Sequence, residues 1–77
     1  MKDSDFLKAQ AILDLLSKNP QGLAPSRIGM IVGVYSSKRD RILNDLQREG
    51  KLIKQESTYN RNVWVVWKLK EVANGIN

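Results

Sequence analysis

The chain has 77 residues, 13 Lys or Arg against 8 Asp or Glu, and a formal net charge of +5, with neither His nor Cys. Its length fits one domain with an economical core, since a chain this short buries only about 60% of its unfolded surface. The missing Cys and His exclude a disulfide framework, a thiol nucleophile, the commonest general base and the usual zinc ligands.

No apolar run approaches a bilayer span, and residues 1–5 lack the charged-then-apolar pattern of a signal peptide. No P-loop or dinucleotide glycine pattern is present either. The expectation is a cytoplasmic binding protein, not an enzyme, with no cofactor, metal or membrane association. With Met1 at one end and a ragged polar end at Asn77, the chain is expected to be a whole protein. The charge is uneven: residues 36–70 carry nine Lys or Arg against Asp40, Asp45, Glu49 and Glu56. Such an excess favours an anionic partner.

In chain order, Ser4 or Asp5 is placed to cap a first helix. Asp3 and Asp5, near a mobile end, are poorly placed to hold catalytic geometry. Phe6, Ala9, Ile12, Leu13 and Leu16 recur at three- and four-residue spacing, predicting an amphipathic helix that ends near Lys18. Its apolar stripe reads as core. Asn19, Pro20, Gln21 and Gly22 form a turn by composition. Leu23 and Ala24 are a short apolar link, the kind that adds a brief strand to a sheet.

Pro25 suits the first turn of a second helix, where its missing N–H is not needed. Ile28, Ile31 and Val32 give that helix an apolar side, and Gly33 ends it in a left-handed turn. Gly29 costs roughly 1 kcal/mol relative to Ala inside a helix. The expected benefit is clearance for the next helix to cross. Ser36 and Ser37 are placed to cap that third helix, which is predicted to run from about Ser37 to Arg48.

On the third helix Arg39, Ile42, Leu43 and Leu46 share one side. Ser37, Arg41, Asn44 and Arg48 share the other, flanked by Lys38 and Asp45. Arg39 breaks the apolar pattern, so its stem is expected along the core rim with the guanidinium reaching solvent or a carboxylate. The exposed side offers residue types that reach phosphates and base edges in a major groove. Ser36 and Ser37 also sit where backbone amides can meet a phosphate. Helix, glycine corner and third helix form a helix-turn-helix pattern.

Leu52 to Thr58 begins an extended segment, Tyr59 to Asn62 supplies turn residues, and Val63 to Leu69 is the strongest strand signal. Together they predict a β-hairpin. Val63, Val65, Trp67 and Leu69 share a face whose C-terminal part is assigned to the core. Trp64 and Val66 point the other way. Trp64 either covers an edge of the helix pair, the expected role, or stands as an exposed anchor for a partner. Residues 71–77 are expected to fray.

Three helices followed by a hairpin resemble the winged-helix arrangement, an α+β fold, over roughly residues 6–69. Ile28, Gly29, Val32, Gly33, Val34 and Ile42 match helix-turn-helix positions. Leu46 with Glu49 to Ile53 looks like a recognition helix entering the first strand of the wing. Within this class the chain is similar to the small FaeA/PapI-like regulators of fimbrial operons. The likeness rests on Ile12, Leu13, Leu16, Gly22, Ile28, Val34, Leu43, Leu46, Gly50 and the aromatic-rich last strand. Arg39, Gly33 and the composition of the wing tip depart from that pattern.

This resemblance implies a transcription regulator acting beside a larger DNA-binding protein. Ser37, Lys38, Arg41 and Asn44 would read the major groove, with Arg48 near the backbone. Lys54 and Arg61 on the hairpin would approach phosphate or the minor groove, and Arg27 would contact the backbone. So small a domain offers limited area, so specificity calls for a homodimer or a second DNA-binding protein. The competing reading is a protein-interaction module that docks through the wing and Trp64. Asp40 and Asp45, which repel phosphate, favour it mildly.

Overall fold

The computed structural model describes residues 3–70, so the expected fraying of residues 71–77 lies outside the described residues. Three helices, α1 (Asp3–Ser17), α2 (Pro25–Val32) and α3 (Ser36–Arg48), precede strands β1 (Leu52–Tyr59) and β2 (Asn62–Leu69). The strands pair antiparallel, with Leu52 opposite Leu69 and Tyr59 opposite Asn62. The fold is thus α+β, three helices followed by a two-stranded hairpin. Among the described residues no helix is long and apolar enough to cross a membrane.

Each element contributes to one core. Ala9, Ile12 and Leu16 come from α1, Ile28 from α2, and Ile42, Leu43 and Leu46 from α3. Val34, Leu52 and Trp67 complete it. Burying each of the larger side chains stabilises by roughly 1.5–3 kcal/mol. Two residues expected on the apolar stripes lie outside this core: Phe6 and Ile31 are both exposed. Each stands at the margin of a stripe, and the packed elements meet along the centre of those stripes.

The corner between α2 and α3 depends on two glycines. Gly33 adopts φ 82°, and its N–H donates to the Gly29 carbonyl at 2.8 Å. The Val34 N–H donates to the same oxygen at 3.0 Å. A Cβ on Gly29 would collide with the Val34 carbonyl oxygen and press on the Arg39 side chain. The clearance expected of Gly29 is therefore real. Lys8 of α1 donates from Nζ to the Val32 carbonyl at 3.0 Å, placing a cation at the negative end of α2.

Leu23 bridges to Trp67, exchanging backbone hydrogen bonds of 3.1 and 2.9 Å, so the link expected to add a brief strand contributes a single bridging residue. At the other end of the hairpin Asn60 and Arg61 have φ of 51° and 68°. Two left-handed residues in a two-residue loop match the twist of the flanking strands.

Candidate nucleic-acid interface

The third helix is fixed in rotation by Ile42, Leu43 and Leu46, which are all buried. Its opposite side is therefore turned outward: Ser37, Arg41, Asn44 and Arg48 are exposed, and Lys38 beside them is exposed too. Arg39 has only 19% of its side chain exposed, and its Nε donates to Asp40 Oδ1 at 3.0 Å. The stem-along-the-rim expectation describes it, since that stem lies against Gly29.

The cap expected from Ser36 and Ser37 at the start of α3 fails. Tyr35, in extended conformation, occupies the N-cap, and no side chain caps the helix. Ser36 is the first helical residue and takes φ 57°. A serine in the left-handed region turns the chain without offering its hydroxyl to the next amides. The pattern of hydroxyls before an apolar run carries no sign of that conformation.

Asp5 was placed by its sequence position at a cap or on a mobile end, and it is neither. Its side chain is 7% exposed and holds two cations of α3. Lys38 Nζ lies 3.3 Å from Oδ1, and Arg41 donates from its guanidinium to Oδ2 at 3.3 Å. Buried carboxylates need such partners because water no longer solvates them. Arg48 in turn pairs with Asp45 at 3.4 Å. Every cation of α3 thus has a carboxylate beside it.

These pairs weaken the field of the helix unequally. Arg48 with Asp45 is a solvated pair, worth about 0–1 kcal/mol and readily exchanged for a phosphate. Lys38 and Arg41 share a single carboxylate, so one positive charge is left over at that site. Arg27, Lys54 and Arg61 are exposed and form no ion pair among the described residues. Asn44 and Ser37 make no side-chain hydrogen bond there either, which leaves their polar groups available to a ligand.

Helix and hairpin meet at a cleft of about 360 Å³ lined by Pro25, Arg39, Asp40, Asn44, Lys54 and the rings or methyls of Trp67 and Val65. Asn44 of α3 and Lys54 of β1 therefore open onto one concave surface. Arg61 stands apart from them at the hairpin tip, and Arg27 on the first turn of α2. Trp64 corrects a further expectation: it does not pack on the helices but is 60% exposed. Among the described residues no group of three or more His, Cys, Asp or Glu side chains could hold a metal ion. No family model matches the chain, and comparison with curated proteins and with solved structures finds no match.

Proposed function

We propose that this chain binds double-stranded DNA as a small winged-helix transcription regulator, with α3 in the major groove and the hairpin over the backbone or minor groove. The observation that carries this reading is the shared cleft of Asn44 and Lys54, which turns a polar helix face and one cation of β1 toward the same concave surface. Asn44 and Ser37 are the direct readers. Asn pairs with adenine through two hydrogen bonds, whereas a lysine meets phosphate as a point charge.

The ion pairs shift the division of labour among the cations. Lys38 and Arg41, anchored to Asp5, orient the helix and add local charge. Lys54, Arg61 and Arg27 supply the contacts to phosphate, and Arg48 joins them by exchanging Asp45 for the backbone. The resemblance to FaeA/PapI-like regulators belongs to the same proposal, as does a homodimer or a second DNA-binding protein to enlarge the contact area.

Selection from random DNA duplexes at two salt concentrations tests the reading. An enriched site is expected, and log affinity should fall with log salt at a slope of about −5 if about six phosphates are neutralised. A flat salt dependence, or no enriched site, overturns it.

A further inference from the structure

The antiparallel register divides the hairpin into two faces, because directly paired residues point the same way. Leu52, Lys54, Val65 and Trp67 belong to the face on the helices and the cleft. Ile53 with Lys68, Gln55 with Val66, Ser57 with Trp64, and Tyr59 with Asn62 form the other. That outer face carries Tyr59, Trp64 and Ile53 in exposed positions, with Val66 half-buried between them. Trp64 and Tyr59 are diagonal neighbours across the ladder, within reach of each other as aromatic side chains.

Among the described residues the charge on this face is of one sign. Its strand positions include no carboxylate, since Glu56 belongs to the opposite face. At its base, Lys68 and Lys70 line a depression of about 330 Å³ together with Pro20, Ile53 and Leu69. Arg61 stands at its tip. Among the described residues no further strand pairs with the outer edge of β1. An unpaired edge presents alternating N–H and C=O groups to any extended chain that approaches.

We propose that the outer face of the hairpin is a docking site for an extended peptide segment of another protein, whose side chains toward this face are apolar at the centre of the segment and acidic near its ends. Apolar side chains of the segment would cover Trp64, Tyr59 and Val66, and its backbone would pair with β1. Its carboxylates would meet Lys68 and Lys70 at one end and Arg61 at the other. A second copy of this chain fits poorly, because both faces would bring the same cations together. Single-stranded nucleic acid would use the aromatic rings and lysines but would leave Ile53, Val66 and the strand edge without partners. This face is opposite to the one bearing Lys54, so the site does not use the cleft of Asn44 and Lys54; Arg61 at the tip is the residue it shares with the DNA reading.

A display library of random short peptides, selected on the immobilised full chain, tests this. The expected result is enrichment of extended sequences with apolar residues at alternate central positions and acidic residues near the ends. A synthetic copy of an enriched peptide should lose about tenfold in affinity with Trp64→Ala and with Lys68→Glu, while Asn44→Ala leaves it unchanged. Trp64→Ala should melt as the wild type does, since the ring is mostly exposed; Tyr59→Ala is the second variant should it not. The proposal is overturned if no peptide is enriched, if acidic residues are not selected, or if neither aromatic substitution weakens binding. It is equally overturned if oligothymidylate alone takes this face, or if Trp64→Ala abolishes a self-association of the chain.

Discussion

Asp5, in the first turn of α1, accepts a hydrogen bond from Arg41, at the centre of the outward side of α3, across 3.3 Å. The two are 36 residues apart, and Lys38 completes the cluster from one turn away. This contact links the first helix to the proposed reading helix and draws two of its cations toward the protein.

Asp5→Asn should therefore act on stability and binding in opposite directions. Losing the shared carboxylate is expected to cost about 1–2 kcal/mol, less than for a fully buried pair because Lys38 and Arg41 are half-solvated. Released from Asp5, the two cations should raise non-specific duplex affinity several-fold and steepen the salt slope by about 1. Urea melts and a salt titration on a random duplex measure the two effects.

Asn44→Ala and Lys54→Ala separate reading from attraction, although both residues line the same cleft. The first should cost about 1–3 kcal/mol on an enriched site and little on a random duplex. The second should weaken both alike and flatten the salt slope by about 1. Titrations of both duplexes at two salt concentrations check this. Equal losses for both substitutions on both duplexes would remove Asn44 from the reading role.

Gly29→Ala should destabilise the corner by about 2–3 kcal/mol despite the better helix propensity of alanine. The added methyl meets the Val34 carbonyl oxygen, which is backbone and cannot swing aside. Chemical denaturation is the measurement. A neutral or stabilising result would mean that α2 and α3 can part there without loss.

Arg61→Gly should stabilise the hairpin by about 0.5–1 kcal/mol, because glycine adopts the φ of 68° at that position without steric cost. The same change removes an exposed cation at the tip. Duplex affinity is therefore expected to fall severalfold while the melting temperature rises. Thermal denaturation with a binding titration on the same preparation distinguishes the two effects.

The sequence by itself determined the elements and their apolar sides. The spacing of Ile12 and Leu16, of Ile42, Leu43 and Leu46, and the alternation around Trp67 each have a period that belongs to one kind of backbone. Pro25, Gly33 and the Tyr59–Asn62 turn marked where those backbones stop, because their conformational preferences are local. The outward placement of Arg41, Asn44 and Arg48 followed from the same periods. What a carboxylate pairs with, or whether a ring at a hairpin edge is covered, depends on chain brought together from far along the sequence. Only the tertiary structure put Asp5 beneath Lys38 and Arg41, left Trp64 in the open, and turned Ser36 left-handed before the third helix. It also decided that Asn44 and Lys54 share a cleft, since the angle at which the hairpin leaves the helix is set by core packing and not by either residue.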